Sequence, residues 1–247
     1  MPEYRLTLDP RNPGQYFACC GLFELSELVT PGGEAWFADE GCEFVIRTNG
    51  PVPPHSLKLA PQKDCAVKPD PLESLVLELG GKDLDLNWWC NEALTDKSPL
   101  KTWGGQQTPR RVLEQLLSLL DFRVPVEELF EFPIYTKSRF GVDARSAWEA
   151  IDTGYSPNDL TQDAVTFPWV EVLAVAGLQG FRPAGDGGSR YRRASYSVWF
   201  TPLPLVSARA ACAAPWVGLP SRTFRFEIAG RGQGYKTFLF AEGDERD

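Results

Sequence analysis

Histidine is nearly absent from this chain, in which His55 is the only one among 247 residues. The six cysteines include no C-x-x-C pair. Both observations argue against a zinc site, whose ligands usually come from histidines and paired cysteines. The hydrolase pattern G-x-S-x-G and the zinc-protease pattern H-E-x-x-H are missing as well. We therefore expect a reduced protein without a metal or another cofactor.

Long apolar runs are also lacking. The longest, residues 169–178, is interrupted by Glu171, whereas a membrane-spanning helix needs about 18 apolar residues. Residues 1–5 do not combine a basic start with an apolar segment, as a secretory signal does. We expect a cytoplasmic protein that does not contact membranes.

Charge is ordinary in amount but uneven in distribution. With 25 basic and 33 acidic residues the net charge is -8, which argues against a cationic protein that coats DNA by itself. Residues 131–247 nevertheless carry 13 charges of each sign. Between residues 176 and 240 there are nine basic residues and only two acidic ones, Asp186 and Glu227. This polarity suits a protein that meets a polyanion on one face, although a solvated basic face would look the same.

Hydrophobic periodicity and turn residues indicate helices and strands in irregular order. Asn12, Pro13 and Gln15 have the arrangement of a helix start, and residues 14–29 are apolar on most of the helix circumference. The lack of a regular βαβ rhythm predicts an α+β fold of mixed helices and antiparallel β-hairpins. We expect a single domain over residues 1–247, with a sub-boundary near residues 125–135. Other expected elements are helices from Pro109 and Pro168, a hairpin around residues 80–82, strands at 4–8, 43–47, 196–200, 224–228 and 235–240, and an irregular segment at 51–71.

One pattern occurs twice in the chain. Residues 18–22 and 174–178 both read A-x-x-G-L on apolar helices. A fold built of two related halves would explain the repeat. Helix packing favours such patterns without any common origin, and this is the simpler interpretation.

The sharpest basic segment is residues 185–193, where glycines precede three arginines. Arg190, Arg192 and Arg193 are suited to phosphate contacts, and Tyr191 and Tyr196 to stacking on bases. The segment resembles a flexible loop that becomes ordered on nucleic acid. The alternative is an ordinary polar hairpin loop.

Two further basic segments carry similar alternatives. Arg110 and Arg111 follow a glycine-rich loop and begin a helix, where cations are unfavourable unless an anion binds; otherwise both arginines simply point to water. Lys137, Arg139 and Arg145 occupy odd positions, so a strand would place them on one face beside Asp143. They would then face phosphate or a guanine edge, or else form ion pairs within the domain.

Five segments in a fixed order carry a family resemblance: residues 12–22 (NPGQYFACCGL), 100–107 (LKTWGGQQ), 139–145 (RFGVDAR), 152–158 (DTGYSPN) and 171–179 (EVLAVAGLQ). Together they resemble the small form of the large subunit of type I-U (also called I-G) CRISPR effector complexes. The resemblance covers residues 4–205. At 247 residues the chain is short for such a subunit and its end is rich in predicted strands, so we expect no small-subunit-like module.

The resemblance implies a non-catalytic Cascade subunit that binds target double-stranded DNA near the PAM and the guide RNA near its 5′ end. It also implies recruitment of the helicase-nuclease and contacts with the backbone and guide-handle-binding subunits. Chemistry placed on these segments gives the candidate nucleic-acid contacts Lys101, Gln106, Gln107, Arg110, Arg111, Lys137, Arg139, Arg145, Asn158, Arg190, Arg192 and Arg193. Asn12 and Gln15 are interpreted as helix-capping residues.

The alternative is a stand-alone metal-dependent enzyme acting on a phosphorylated or nucleic-acid substrate. Asp83 and Asp85 lie two apart on a predicted strand, so their carboxylates share a face and have the chemistry to hold Mg²⁺. A solvent-facing row on an amphipathic hairpin gives the same pattern. His55 lies in a proline-rich loop, and we do not expect it to act as a general base.

Overall fold

Helices and antiparallel sheets make up the fold, which confirms the α+β class. The computed structural model describes residues 1–52, 56–60, 75–86, 100, 102, 108–146, 164–185, 192–214, 218–230 and 236–244. Within these ranges every strand pair is antiparallel. No helix in the same ranges is long and apolar enough to cross a membrane.

Three of the described helices begin where the sequence predicts. Proline occupies the first position of each of these three, where its missing N–H costs no hydrogen bond. Asn12 and Thr108 cap two of these helices through their side-chain oxygens. The helices within the described ranges are α1 (Pro13–Val29), α2 (Pro109–Ser118), α3 (Pro168–Gly180) and α4 (Leu205–Ala213), with 3-10 turns at Asp39–Gly41, Val126–Glu131 and Ala144–Ser146.

The described strands are β1 (Glu3–Thr7), β2 (Glu34–Ala38), β3 (Glu43–Arg47), β4 (Leu57–Leu59), β5 (Leu75–Leu79), β6 (Lys82–Leu86), β7 (Ile134–Thr136), β8 (Ala164–Thr166), β9 (Ala184–Gly185), β10 (Arg193–Trp199), β11 (Ser221–Gly230), β12 (Lys236–Phe238) and β13 (Glu242–Gly243). They form four sheets, in the orders β1-β3-β2, β4-β5-β6, β7-β8 and β12-β11-β10-β9, with β13 also pairing with β11. An isolated bridge between Ala35 and Leu203, and a 2.7 Å hydrogen bond from Trp199 Nε1 to the Ala35 carbonyl oxygen, join the first of these sheets to the last.

Helices α1 and α3 form the centre of the protein and cross at the two glycines of the repeated pattern. A Cβ atom built on Gly21 would lie 1.8 Å from the Leu173 carbonyl oxygen, and one on Gly177 would lie 2.1 Å from the Phe17 carbonyl oxygen. Only glycine permits this approach, so helix packing accounts for the repeat. The strand connections differ around the two helices: β1 and β2 share a sheet, whereas β8 and β9 lie in different sheets.

Aromatic side chains fill the space between α1 and the last sheet. The rings of Tyr16 and Tyr196 stack with centroids 4.1 Å apart, and Trp199 meets Phe37 edge to face at 4.9 Å. The Tyr16 hydroxyl donates to the Ser197 carbonyl oxygen at 2.8 Å, so its polar end is satisfied. Tyr196 is fully buried, and the expectation that it stacks on bases is therefore wrong.

The structure departs from the predictions in several places, and the short strands β7, β8, β9 and β13 were not predicted. Strand β4 lies within residues 51–71, which were expected to be irregular. Short strand β2 and helix α4 were not predicted. Helix α4 has no capping side chain at its start and is apolar on nearly all sides, so its sequence shows neither a helix start nor one apolar face. Residues 137–143 form no strand, and residues 144–146 form a 3-10 turn. The one-face arrangement predicted for Lys137, Arg139, Asp143 and Arg145 is therefore wrong.

Candidate nucleic-acid interface

The segment 138–146 is hydrogen-bonded to several distant parts of the chain, and a buried carboxylate holds its backbone. Glu171, in the first turn of α3, accepts hydrogen bonds from the backbone N–H groups of Phe140 (2.6 Å), Gly141 (3.0 Å) and Asp143 (3.3 Å). Burial, with the Asp143 carboxylate nearby, raises the pKa of Glu171 to about 7. Three N–H groups that would otherwise be buried without partners are satisfied in this way.

Asn12 links the same segment to the start of α1. Its Oδ1 accepts from the backbone N–H groups of Gly14 (3.0 Å) and Ala144 (3.1 Å), and its Nδ2 donates to Asp143 Oδ1 at 2.8 Å. Asn12 is thus a helix cap, as predicted, and also a bridge between two distant parts of the chain. Gln15 does not complete a capping box, because its Oε1 accepts from the Asp9 backbone N–H at 2.7 Å.

Arg145 is a structural residue. Its guanidinium donates to the buried Asp143 carboxylate (2.8 Å from Nη2) and to the Phe130 carbonyl oxygen (2.9 Å from Nη1). The guanidinium carbon also lies 3.4 Å from the centroid of the Phe167 ring. With these contacts made, the interpretation of Arg145 as half of an internal ion pair is confirmed, and little of the side chain remains for a ligand.

Arg139 is occupied in a similar way. Its Nη1 donates to the Ser146 carbonyl oxygen at 2.9 Å, and burial lowers the pKa of its guanidinium, although the Glu171 charge opposes this. Lys137 differs from both arginines. Its side chain is exposed and forms no ion pair with any residue in the described ranges.

The chain around helix α2 and the segment 138–146 contact each other. The Thr102 hydroxyl donates to the Phe140 carbonyl oxygen, and the Thr102 carbonyl oxygen accepts from the Lys236 backbone N–H at 2.7 Å. The Ser138 hydroxyl donates to Gln115 Oε1 on α2. Arg111 lies one turn before Gln115 on the same side of this helix. Helix α2, which carries Arg111, and the chain that follows Lys137 are therefore joined at Gln115 and Ser138.

Arg110 and Arg111 have different surroundings. Arg110 forms an ion pair with Glu114 at 3.2 Å and points toward the Ala60 carbonyl oxygen at 3.4 Å. Arg111 is exposed, and its side chain has no ion-pair partner within the described part of the chain. Thr108 caps the helix through the Arg111 backbone N–H at 3.3 Å. Only Arg111 of this pair is available to an anion.

The basic excess between residues 176 and 240 is partly neutralised in three dimensions. Arg209 pairs with the buried Glu24, and Arg225 lies 3.4 Å from Asp244. Arg193 pairs with Glu227, 2.6 Å away across β10 and β11. Glu24 and Asp244 lie outside that sequence window, so counting charges along the chain overstates the basicity of the surface. Arg192 is exposed. The other candidates, Lys101, Gln106, Gln107, Asn158 and Arg190, lie outside the described residues.

A cleft of about 630 Å³ opens beside the start of α1 and contains residues that the sequence reading did not single out. Arg222 lies in it with its guanidinium carbon 5.2 Å from the Phe224 ring centroid, and Phe240 is half exposed at its edge. Exposed Glu40 and Glu131 line the same cleft. Because these acids outnumber Arg222 and the other cleft arginines are already paired, the cleft does not favour a polyanion.

No arrangement for metal-dependent chemistry is found in the described ranges. Asp83 and Asp85 are exposed on β6, and no group of three His, Cys, Asp or Glu residues there could hold a metal ion. His55 lies outside those ranges. Among the predicted contacts within the described ranges, Arg111 and Lys137 are exposed and form no ion pair there.

Comparison with known protein families, with curated proteins and with solved structures found no match for this chain.

Proposed function

We propose that this protein is a non-catalytic subunit of a type I CRISPR effector complex of the I-U (I-G) kind, located in the cytoplasm. In this role it binds target DNA near the PAM and the 5′ end of the guide RNA, and helps to recruit the helicase-nuclease. Guide pairing supplies most of the sequence specificity in such complexes, while protein reads the PAM.

One observation supports this proposal above the others: four of the five resembling segments contact one another. Asn12 of the first segment bonds to Asp143 of the third, and Glu171 of the fifth holds the backbone of the third. Thr102 of the second segment bonds to Phe140 of the third. The fourth segment lies outside the described residues. Segments far apart in sequence therefore build one core, as expected when a shared pattern reflects a shared fold.

The distribution of charge suits a subunit better than an independent nucleic-acid-binding protein. The net charge of -8 lies entirely in residues 1–130, and the exposed unpaired cations of the described ranges, such as Arg111 and Lys137, are few. A subunit needs only a local contact, because its neighbours supply the rest of the basic groove. The acidic surface then remains for basic neighbours.

The test is affinity purification of the tagged full-length chain from its native host under mild conditions. We expect an RNA of one discrete, guide-like length and other CRISPR proteins to co-elute. A chain that elutes alone and free of RNA would contradict the proposal.

Charge-reversal variants of the purified assembly then test the interface. We expect Arg111→Glu with Lys137→Glu to retain the protein partners but to bind PAM-containing duplex more weakly, with a salt slope smaller by about 2. Lys82→Glu is the matched control, since Lys82 is an exposed lysine on β6 without an ion pair in the described residues. If both variants bind the duplex with the same affinity and the same salt slope, Arg111 and Lys137 do not contribute to the interface.

A further inference from the structure

Helix α4 leaves an apolar surface exposed to solvent. Its inner face is buried against the rest of the fold, but its exposed residues are also apolar, namely Val206, Ala210 and Ala213. These positions lie on one side of the helix, because a turn takes about 3.6 residues. Val206 is 76% exposed, more than any other large hydrophobic side chain in the described ranges. We call this side the outer face of α4.

The surroundings of the outer face are also without free charge. Arg209 is the one charged residue in the segment 200–214, and its Nε donates to the buried Glu24 carboxylate at 2.6 Å. Pro202 and Pro204, which precede the helix, are exposed. Helix α2 has the usual arrangement, since its exposed residues are all polar: Arg111, Glu114, Gln115 and Ser118. An exposed helix face that lacks polar groups indicates a contact with another protein surface.

We infer that the outer face of α4 is a contact between two copies of this chain, packed antiparallel about a two-fold axis near Ala210. A two-fold contact presents the same surface twice, so the surface must complement itself. The outer face does so, because its bulky valine is at one end and its small alanines follow. Antiparallel packing places Val206 of each copy against Ala213 of the other, whereas parallel packing would place the two valines against each other.

Charge favours a second copy over a charged ligand. A polyanion would find no free cation on the outer face, and a basic partner would find no carboxylate there. The net charge of -8 lies entirely in residues 1–130, so α4 belongs to the electrically neutral half of the chain. Two antiparallel helix dipoles also attract each other. The inference goes beyond the proposed function and does not depend on it.

The size of the contact sets the expected affinity. The outer face and the prolines before it offer fewer residues than a standard interface, which takes about 20 from each side. We therefore expect a reversible dimer with a dissociation constant in the micromolar range. Sedimentation equilibrium of the purified full-length chain, over a micromolar concentration series, measures it. The average mass should rise with concentration from 27.5 kDa towards twice that value.

Val206→Glu tests the surface, because it buries a carboxylate in the contact without a partner. Association should weaken by at least about tenfold. Since Val206 is exposed in the single chain, the variant should unfold at the same urea concentration as wild type. Tyr135→Glu is the matched control, since Tyr135 is 72% exposed on another sheet, and it should dimerise as wild type does.

Disulfide trapping tests the antiparallel arrangement. The two copies of residue 210 meet near the axis, whereas the two copies of residue 206 lie about 10 Å apart along the helices. A disulfide needs Cα atoms within about 7 Å of each other, so Ala210→Cys should form a covalent dimer on a non-reducing gel and Val206→Cys should not. A mixture of Val206→Cys and Ala213→Cys chains should cross-link. The wild-type chain under the same oxidant gives the background from its own six cysteines.

Several results would overturn the inference. These are a wild-type chain that stays at 27.5 kDa throughout the series, a dimer that persists in Val206→Glu, and cross-linking of Val206→Cys as efficient as that of Ala210→Cys. If wild type stays monomeric and Val206→Glu loses co-eluting proteins from the native host, a different subunit covers the outer face and the second copy is wrong. A dimer that forms while no CRISPR protein co-elutes contradicts only the proposed function.

Discussion

Replacing Gly177 by alanine is the most direct test of how the two central helices pack. The added Cβ would lie 2.1 Å from the Phe17 carbonyl oxygen and 2.7 Å from the Gly21 amide nitrogen. Ordinary contact at such atoms begins near 3.4 Å, so α1 and α3 must separate by about 1 Å. Both atoms belong to backbone inside a helix and cannot move independently.

The loss in free energy of unfolding that we expect for Gly177→Ala follows from the burial of both helices. A radial gap of this size removes a quarter to a half of the dispersion energy of each contact across it, and overpacked cores typically lose about 1 to 3 kcal/mol. We expect about 3 kcal/mol here, because the contacted atoms belong to helix backbone and cannot move independently. Alanine alone favours a helix over glycine by about 1 kcal/mol, so the expected change in stability has the opposite sign to helix propensity. For a chain of this size we expect the melting temperature to fall by about 6 to 12 °C.

Urea unfolding at equilibrium, with circular dichroism as the signal, measures the change in the free energy of unfolding. Gly230→Ala is the matched control, because a Cβ at Gly230 meets nothing within 4 Å, and its stability should change by less than about 0.5 kcal/mol. The double variant Gly21→Ala with Gly177→Ala should lose less than the sum of the single losses, since helices already separated accommodate the second methyl group. A Gly177→Ala protein as stable as wild type would refute this account of the crossing.

Three further predictions concern the segment 138–146. Asn12→Ala removes two accepted hydrogen bonds and one donated to Asp143, and should lower the free energy of unfolding by about 2 to 3 kcal/mol. The control Thr108→Ala removes a cap with a single hydrogen bond and should cost about 1 kcal/mol or less. Urea titration measures both variants. Arg145→Met leaves the buried Asp143 carboxylate without its cation and should lower the free energy of unfolding by about 3 kcal/mol. The folded variant should keep the nucleic-acid affinity of wild type. Loss of that affinity without loss of stability would argue for a binding role. Because the pKa of Glu171 is raised to about 7 in the folded state, its protonation stabilises the fold most below pH 4.5, and this contribution of about 3 kcal/mol is lost as the pH rises through 7. Glu171→Gln should lack this part of the pH dependence, and parallel slopes for both proteins between pH 4.5 and 7.5 would contradict the assignment.

Much of the secondary structure could be predicted because local chemistry specifies it. Prolines at first helical positions, Asn12 as a cap and the glycine turn between β5 and β6 act over a few residues and were found at their predicted places. Strand β2 and helix α4 are instead stabilised by what they pack against, and their sequences contain no start signal.

The candidate site was harder to predict, because an arginine has the same sequence signature whether it binds phosphate or a buried carboxylate. Arg145 and Arg209 are held by Asp143 and Glu24, and the latter partner lies 185 residues away. Tyr196 and Tyr135 are both tyrosines on strands, yet one is in the core and the other is 72% exposed. Burial distinguishes them, and burial depends on the whole chain.

The sequence by itself determined the α+β class, the starts of α1, α2 and α3 and the uneven charge, since each follows from neighbouring residues or from composition. Only the tertiary structure decided which charges are neutralised and which side chains meet. Hydrogen bonds such as that from Asn12 to Asp143 join residues 131 positions apart, and no local pattern encodes their approach. The crossing of α1 and α3 lies between these cases: the glycines are visible in the sequence, but their contact requires two helices distant along the chain to pack together.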